Sequence, residues 1–537
     1  MVVKGDKHNF VNVNLNQKNM QAFGCKNFRK FKNLPMMDLG GINIFVGTNN
    51  SGKSTFIKGM ILLLDNILSW ERTPDFGMPL TNHFRFMTES SSHLYLGGYE
   101  KSLNSESKGK PMSFTFTTGC ARVKLSIDEK KASKSSGIQL QKELKYFEIE
   151  NLETNILFRF DFNSKEDGLL TICLPVNHLK ADIEEQISNL SKRINGKSSK
   201  KTPKDESSWA DEASAMLGPV GIIGRSIYKS LTDDPIKGYE ARTAELERIS
   251  LITDDKLEIT ASFRFNPKYN HSFKKSPIIE EIEKYGEFSL QLIRDSFKKA
   301  AIDIMRVDEF HYVEAHNATH KNFVNIEDKD DFLSQTLSKF LREGVDKDKK
   351  SKRFVEKWLN EFNIASTYSF QTLYEDIVVV NLLDNKNKSK TLGSYGTGSI
   401  QLFILLLQIA TAMHSSKSII MFLEEPEQNL HPALQSKLAD LFYEVWKDAN
   451  GKIRFIVETH SEYLVRRLQV IVAEKIKSGV SVEEINEDFK VYYFPEDGTP
   501  YSMDFQRNGC FKESFDRGFF DEAGNSYRAL FKLEKGL

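Results

Sequence analysis

The stretch GTNNSGKST, from Gly47 to Thr55, decides the fold class of this 537-residue chain. It matches the pattern G-x-x-x-x-G-K-[ST] in full. The apolar run INIFVG, predicted to be a strand, precedes it, and the segment KSTFIKGMILLLDNIL, predicted to be an amphipathic helix, follows it. This order places backbone N–H groups around a phosphate, at the positive end of a helix dipole. The sequence therefore predicts an α/β domain that binds a nucleotide.

The residues of this loop have separate roles in phosphate binding. Gly47 and Gly52 permit backbone angles that bulkier residues resist. The ammonium of Lys53 is expected to reach the β and γ phosphates, and the hydroxyl of Ser54 to ligate Mg²⁺. A Gly-rich turn without a ligand is the alternative, and the predicted strand and helix on either side argue against it. The expected nucleotide-binding residues are Gly47, Asn49, Asn50, Ser51, Gly52, Lys53, Ser54 and Thr55.

Two carboxylates end a second apolar run, in SIIMFLEEPEQNLHP. Residues 419–423 are predicted to form a buried strand, and Glu424 and Glu425 follow it directly. A carboxylate at such a strand end can hold Mg²⁺ and its water shell, and the next one can orient the attacking water. We assign Glu424 to the metal and Glu425 to the water. A pair of solvated acids is the alternative.

Two further segments carry residues that fit the same site. His460 follows the apolar run in FIVETHSEYL, where an imidazole could contact the γ-phosphate and sense its loss. In LGSYGTGSIQLF, the residues Ser394, Gly396 and Gly398 precede a predicted helix and form a second Gly-rich helix N-terminus. Taken alone, this second segment fits a plain loop equally well.

Composition and charge argue against several protein classes. Lys and Arg together number 74, equal to Asp plus Glu, so the net charge gives no support to nucleic-acid binding. No run of about 18 apolar residues predicts a membrane span, and the N-terminus lacks the apolar core of a signal peptide. The four cysteines are far apart in the sequence, as is typical of reduced thiols. We expect a cytoplasmic protein without membrane association.

The periodicity of apolar residues divides the chain into five segments. Residues 18–178 are predicted to form the first half of the nucleotide-binding domain, ending in antiparallel strands of period two. A polar linker and insertion covers 179–257, and a mainly helical insertion with a short β segment covers 258–365. Residues 366–475 alternate apolar strands with helices, which indicates a mainly parallel sheet covered on both faces. A C-terminal β segment and tail covers 476–537.

The order of these motifs resembles that of ABC-type ATPases of the OLD (overcoming lysogenization defect) group, which is related to the Rad50/SMC heads. The segments that carry the resemblance are CKNFRKFKNL, the phosphate loop, SYGTG, FLEEPEQNLHP and ETHS. It covers residues 20–70 and 390–465 firmly and the middle of the chain loosely. The resemblance implies an ABC-type ATPase head, a mainly parallel sheet with an antiparallel β subdomain, that uses ATP and Mg²⁺.

The same resemblance implies a homodimer, or a higher homo-oligomer, whose heads enclose two nucleotides. Ser394 and Gly396 would then contact the nucleotide held by the partner chain, Asn429 would lie in the dimer contact, and His460 would be the switch histidine. Two features depart from the pattern of ABC-type ATPases. The metal acid is Glu424 rather than the commoner Asp, although Glu is usual in the OLD group, and HLYLGGYEKSL lacks the glutamine of a Q-loop.

The segment after His460 bears on what the ATPase drives. OLD enzymes proper carry a C-terminal Toprim nuclease domain, which needs a Glu and a D-x-D pair at strand ends. The residues after His460 are too few for such a domain and contain no D-x-D. The chain therefore looks like the ATPases without a Toprim domain, such as PtuA of Septu and retron systems or AriA of PARIS. These act beside a separate nuclease in bacterial anti-phage defence, so we expect ATP-dependent control of a partner effector.

Two other functions stay open at this point. A DNA-maintenance ATPase of the Rad50/SMC kind would need a long coiled coil between its halves, and no heptads are sustained here. The ATPase subunit of a membrane transporter fits poorly, because no membrane segment is predicted. The basic segments Lys192–Lys204 and Lys347–Arg353 could bind the phosphates of DNA or RNA, although we favour solvated faces.

Three histidines in HYVEAHNATH form the remaining candidate site. Placed on a helix, His311, His316 and His320 would align on one face and could bind a metal. The β-branched residues between them and the lack of a nearby cysteine argue against this. We favour a loop that contacts nucleotide, partner or nucleic acid.

Overall fold

The computed structural model describes residues 20–71, 83–86, 96, 98–107, 109–127, 141–162, 167–195, 235–264, 282, 284–305, 308–315, 318–386, 388–516, 519–520 and 522–534. Within them the strands are β1 (Ala22–Phe28), β2 (Phe31–Asp38), β3 (Ile42–Gly47), β4 (His83–Arg85), β5 (Met112–Thr117), β6 (Ala121–Ile127), β7 (Gln141–Asn151), β8 (Ile156–Phe162), β9 (Asp167–Pro175), β10 (Lys256–Arg264), β11 (Glu309–Val313), β12 (Val324–Asn325), β13 (Thr367–Tyr374), β14 (Ile377–Leu383), β15 (Ser389–Thr391), β16 (Ile419–Glu424), β17 (Ile453–Glu458), β18 (Phe489–Phe494) and β19 (Tyr501–Ser502).

The α-helices of the same residues are α1 (Lys53–Glu71), α2 (Gly98–Ser102), α3 (Val176–Asn195), α4 (Pro235–Ser250), α5 (Glu287–Met305), α6 (Phe332–Arg342), α7 (Lys349–Glu361), α8 (Thr397–His414), α9 (Pro432–Asp448), α10 (Glu462–Lys477), α11 (Val482–Asp488) and α12 (Glu522–Glu534). By length and composition, α8 could cross a membrane, but 78% of it is buried inside the protein, as in the core helix of a soluble domain. No other helix in the described part of the chain passes that test.

A six-stranded sheet carries the phosphate loop near its centre. Its strand order is β11-β16-β17-β3-β18-β19, and all neighbours are parallel except β18 and β19. Every residue of β3 and β17 is buried, as expected for parallel strands covered on both faces. Alternate residues of β3 enter two different cores: Phe45 contacts Phe56 of α1, while Ile44 lies in the core that includes α8. Parallel strands share one carboxyl edge, so β3, β16 and β17 end at the same place.

A nine-stranded antiparallel sheet packs against α1. Its order is β10-β9-β8-β7-β6-β5-β1-β2, with β4 beside β7. The ring of Phe23 in β1 lies 5.1 Å from that of Phe56 in α1, centroid to centroid. On another part of this sheet, Asp303 of α5 accepts hydrogen bonds from the hydroxyl of Thr118 at 2.5 Å and the N–H of Cys120 at 2.9 Å. The sheet thus joins the phosphate-loop helix to the inserted helix α5.

A third, four-stranded sheet leads into the segment that precedes α8. Its order is β12-β14-β13, with β15 beside β14. Phe370 of β13 packs on Phe340 of α6 with ring centroids 5.9 Å apart. Its last strand, β15, is followed by the 3₁₀ turn Leu392–Ser394 and then by α8. This sheet therefore positions the Gly-rich turn singled out in the sequence.

The predicted α/β fold, with a mainly parallel sheet, an antiparallel β subdomain and helical insertions, is confirmed. Strand β11 was not predicted: it lies in the segment expected to be mainly helical, yet it forms the edge of the parallel sheet. Its sequence, EFHYV, is short and half polar, so it carries no clear strand period. Strand β18, in the predicted C-terminal β segment, pairs directly with β3. The five segment boundaries remain predictions, and residues 196–208 of the polar linker lie outside the described residues.

Candidate nucleotide-binding site

The backbone of the phosphate loop requires glycine at two positions. Gly47 has φ 149° and Gly52 has φ 111°, values that other L-residues rarely adopt. A Cβ atom on Gly47 would lie 2.1 Å from the carbonyl oxygen of Phe494, and one on Gly52 would lie 2.7 Å from the ring of Phe31. Asn50 is also left-handed, with φ 60°. The loop thus has the shape that turns its backbone N–H groups inward.

Lys53 lies across this loop. Its Nζ donates to the carbonyl oxygens of Gly47 at 3.0 Å and Thr48 at 2.8 Å. The side chain is almost fully buried, and burial lowers the pKa of Lys53, although Glu458, 3.9 Å from Nζ, opposes this shift. The loop carbonyls hold the ammonium where phosphate oxygens could replace them.

Two carboxylates face each other at the ends of β16 and β17. The parallel register pairs Glu424 with Glu458. Glu424 Oε1 lies 3.7 Å from Nζ of Lys58, and burial raises the pKa of Glu424. Glu458 Oε1 accepts a hydrogen bond from Oγ of Ser54 at 2.9 Å. Burial raises the pKa of Glu458 to about 7, although this hydrogen bond from Ser54 opposes the shift.

Glu425 and His460 lie at the open edge of the same site. Glu425 has φ 45°, its N–H donates to the carbonyl of Glu458 at 2.9 Å, and its Oε2 accepts from the side-chain amide of Gln428. The Nε2 atom of His460 lies 3.9 Å from Oε1 of Glu425. The N–H of His460 donates to Glu427 at 2.7 Å, which fixes its backbone. Burial lowers the pKa of His460, so a neutral imidazole faces this carboxylate near pH 7.

The residues present fit a nucleotide phosphate and Mg²⁺. Oε2 of Glu458 and Oγ of Ser51 are buried atoms without a hydrogen-bond partner among the described residues, and both belong to this site. Magnesium prefers oxygen ligands such as carboxylates and hydroxyls, and Ser54, Glu424 and Glu458 supply them. Glu425, Glu458 and His460 also place one ligand atom each within 4.8 Å of the others. The donors therefore suit a hard cation beside a phosphate chain.

The turn before α8 does not join this site within one chain. Ser394 and Gly396 are exposed, and Ser394 Oγ hydrogen-bonds Thr391 Oγ1 at 2.9 Å. No atom of the described residues lies within 4 Å of a Cβ built on Gly396, whereas one on Gly398 would lie 2.5 Å from the carbonyl oxygen of Asn429. Among the hydrogen bonds of the described residues, none connects this turn to the phosphate loop. The turn and the loop at Asn429 form one outward surface.

The three histidines of the 311–320 segment do not share a helical face. His311 is buried on β11, where its Nε2 lies 2.7 Å from Nζ of Lys339. His320 lies in a loop and contacts the carbonyl of Gly393 at 3.3 Å and Oγ1 of Thr397 at 3.1 Å. His316 lies outside the described residues. His320 does lie in a loop, where it supports the Gly-rich turn, whereas His311 lies on a strand. Contact of this segment with nucleotide, partner or nucleic acid stays a prediction.

Glu458 is the site residue that sequence reasoning missed. It occupies the last position of an apolar strand in FIVETH, two residues before the predicted His460. An acidic residue at the end of an apolar run is the signal that could have identified Glu458, because Glu424 and Glu425 were identified from the same pattern. Its neighbours Ser54 and Glu424 are distant in sequence, so their proximity depends on the order of strands in the sheet.

Comparison with known proteins places the chain in a family. It matches the AAA_15 family, described as an AAA ATPase domain, over residues 20–465. No curated protein matches the chain at a significant level.

Two solved structures show what the chain is similar to in outline. One is the Smc head domain with an extended coiled coil bound to the C-terminal domain of ScpA, derived from Pyrococcus furiosus. It has 11% identity over 96% of this chain and 99% of that one, with a TM-score of 0.28. The other is the SMC head domain from Thermotoga maritima, with 9% identity over 91% of this chain and 99% of that one, and a TM-score of 0.30. Similarity this low does not bear on partners or mechanism.

The family match, in contrast, spans most of the chain and contains the phosphate loop, both strand-end carboxylates and His460, so this protein belongs to the AAA_15 family of ATPase domains.

Proposed function

We propose that this ATPase binds ATP and Mg²⁺ at the site described, closes as a homodimer around two ATP molecules, and controls a separate effector in bacterial anti-phage defence. A nuclease is the effector that we favour. The observation that carries the hydrolytic part is the convergence of Lys53, Glu425 and His460 at the ends of adjacent parallel strands. A phosphate-binding cation, a general base and a neutral imidazole there are the groups that phosphoryl transfer to water needs.

The groups of the site divide the work of hydrolysis. Lys53 would exchange its bonds to the loop carbonyls for bonds to the β and γ phosphates. Bound Mg²⁺ supplies charge neutralisation on those phosphates, and Ser54 and Glu424 are the residues we assign to hold it. Glu425, oriented by the amide of Gln428, would orient the attacking water and accept its proton. The neutral imidazole of His460 would donate a hydrogen bond to the γ-phosphate.

The homodimer is supported by the exposed turn before α8. The backbone at Gly396 is open to solvent, so a phosphate group of a second chain's nucleotide can approach it and the start of α8 closely. Ser394 places a hydroxyl beside it. Because Gly398 packs on Asn429, both segments would meet the second chain together. Each ATP would then be held by the phosphate loop of one chain and this turn of the other.

The regulatory role rests on the resemblance of SYGTG, FLEEPE and ETHS to OLD-like ATPases that act beside a nuclease. We place the effector chemistry in a separate partner protein. The ATP-bound homodimer would present a binding surface to the effector. Hydrolysis of ATP would open the dimer and remove that surface.

The dimer and the hydrolysis are tested together by Glu425→Gln. The wild type should hydrolyse ATP, whereas Glu425→Gln with ATP and Mg²⁺ should have the mass of a dimer in light scattering. Ser394→Arg in that background should bind ATP as a monomer, because the arginine fills the turn. A Glu425→Gln protein that stays monomeric at saturating ATP would refute the ATP-dependent homodimer.

The defence role needs a test in cells. The gene, expressed with its neighbouring reading frames in a phage-sensitive host, should lower phage plating, and Lys53→Ala should restore it. An unchanged plating efficiency with the wild-type genes would count against anti-phage function while leaving the ATPase intact.

A second candidate, a DNA-binding ATPase of the SMC kind, is favoured by one surface. The basic residues at and just before the start of α7 are exposed: Lys347, Lys349, Lys350, Lys352 and Arg353. Such a cluster can release counterions from DNA, so binding should weaken steeply as salt rises. DNA-stimulated hydrolysis that Lys349→Glu and Arg353→Glu abolish, in the absence of any partner, would favour this function over the first.

A further inference from the structure

Three carboxylates converge where the Mg²⁺ site is proposed, and the mechanism proposed above gives a role to only two of them. Glu424 and Glu425 end β16, and Glu458 ends the neighbouring strand β17. Strand β17 lies between β16 and β3, the strand that enters the phosphate loop. Glu458 is therefore the carboxylate on the strand next to β3.

The hydroxyl of Ser54 points at Glu458. Ser54 Oγ donates to Glu458 Oε1 at 2.9 Å, and Nζ of Lys53 lies 3.9 Å from the same oxygen. No hydrogen bond among the described residues joins Ser54 to Glu424. Glu458 therefore already orients the hydroxyl of Ser54, whose oxygen is the proposed Mg²⁺ ligand.

The second oxygen of Glu458 lacks a hydrogen-bond partner in the described part of the chain. The side chain is 6% exposed, and Oε2 is buried without a hydrogen bond among the described residues. Burying a carboxylate oxygen without a donor is unfavourable unless a cation or a water satisfies it. If Glu458 served only to accept the bond from Ser54, an uncharged amide would do the same without that cost.

We propose that Glu458 is a further carboxylate of the Mg²⁺ site. It holds the Ser54 hydroxyl in place before nucleotide binds, and its free oxygen contacts Mg²⁺, directly or through a water of the metal's shell, once ATP is present. This inference rests on the proposed binding of ATP and Mg²⁺ and names an additional residue for it. In the metal-free protein the same charge faces the phosphates, so Glu458 makes nucleotide binding depend strongly on Mg²⁺.

The test compares nucleotide binding with and without the metal. A fluorescent ATP analogue is titrated into the wild type and Glu458→Gln, first in EDTA and then at increasing Mg²⁺. The amide can still accept the hydrogen bond from Ser54 but carries no charge. In EDTA the variant should bind the analogue as tightly as the wild type or more tightly. The Mg²⁺ concentration that gives half of the metal-dependent gain should rise about 10-fold or more.

A direct readout of the metal avoids dependence on hydrolysis. Mn²⁺ bound with the analogue, measured by electron paramagnetic resonance, should be lost from Glu458→Gln at concentrations that saturate the wild type. Glu462→Gln is the matched control, since it makes the same change at a half-exposed acid of α10 that is paired with Arg466. It should behave as the wild type in both titrations.

The outcomes separate this inference from the proposed function. If Glu458→Gln and the wild type need the same Mg²⁺ concentration for half of the metal-dependent gain in binding, the assignment of Glu458 is wrong and the proposed ATP site stands. If the wild type binds no analogue under either condition, both proposals fail. Should Glu458→Gln melt below the assay temperature, Glu458→Asp gives the same test, because the shorter side chain withdraws the carboxylate from Ser54 and should also raise the Mg²⁺ requirement.

Discussion

The imidazole of His460 faces the carboxylate of Glu425, with Nε2 and Oε1 3.9 Å apart. The two residues follow adjacent parallel strands, so the sheet register sets their distance. A gap of this size is too long for a direct hydrogen bond. In the proposed mechanism, the nucleophilic water and the γ-phosphate meet beside this pair.

Glu425→Gln should abolish hydrolysis and keep nucleotide binding. The amide cannot accept a proton from water, so kcat should fall by about 100-fold or more. The affinity for ATP should change little, because Lys53 and the loop backbone are intact. Steady-state kinetics and equilibrium binding measure the two effects separately, and near-normal kcat would disprove the assignment of the general base.

His460→Ala should lower kcat more than it changes the affinity for ATP. In the proposed mechanism, the neutral imidazole stabilises charge that grows on the γ-phosphate during transfer, which is a transition-state interaction. His460→Gln keeps a hydrogen-bond donor and should recover part of the rate. Equal losses for both variants would show that donation by the imidazole is not its role.

Comparing Gly47→Ala with Gly396→Ala separates an effect on folding stability from an effect on the dimer contact. The first change puts a Cβ 2.1 Å from the carbonyl of Phe494 at φ 149°, so it should destabilise the protein by about 2 kcal/mol or more. Gly396 has φ −67° and open space around it, so the second should leave the melting temperature unchanged.

The second variant should instead impair the ATP-bound dimer. A methyl group at Gly396 stands where the partner's nucleotide would approach the backbone, so light scattering of the Glu425→Gln background should show weaker association. A Gly396→Ala protein that dimerises normally would place the contact elsewhere on the surface.

Much of the site could be predicted from local sequence. Lys53 and Ser54 lie in a motif whose spacing fixes their geometry, and Glu424, Glu425 and His460 each follow an apolar run that had to be a buried strand. The structure places these residues along one sheet edge because the strands are parallel neighbours. Their catalytic roles remain proposals that the variants above test.

What could not be predicted depends on which strands become neighbours. The contact between Ser54 and Glu458 exists because β17 pairs with β3, and no local pattern encodes that pairing. Strand β11 was missed for a related reason. Its buried His311 and Tyr312 acquire an apolar environment only from the tertiary structure, through β16 and the helices that cover it.

Removing one partner of a buried ion pair at β17 should strongly destabilise the protein. Arg454 of β17 donates to Asp308 Oδ2 at 2.6 Å and to the carbonyl of Met20 at 2.7 Å, and both side chains are buried. Arg454→Met leaves the carboxylate unpaired and should destabilise the protein by about 3–5 kcal/mol. Arg454→Met with Asp308→Leu should recover a large part of this loss in chemical unfolding, and additive losses would exclude coupling.

Asp488 should make stability depend on pH. It ends α11, where a negative charge is unfavourable, and burial, with Glu487 and Glu484 nearby, raises its pKa to about 6. A carboxyl whose folded-state pKa is raised stabilises the fold below its ordinary pKa, and that stability is lost as the pH rises through 6. Asp488→Asn should therefore raise the melting temperature at pH 8, and the gain should shrink as the pH falls toward 4.5.

Glu483→Gln, at an exposed acid of the same helix, should show no such gain. A pH-independent difference between Asp488→Asn and the wild type would show that the carboxylate does not titrate in this range.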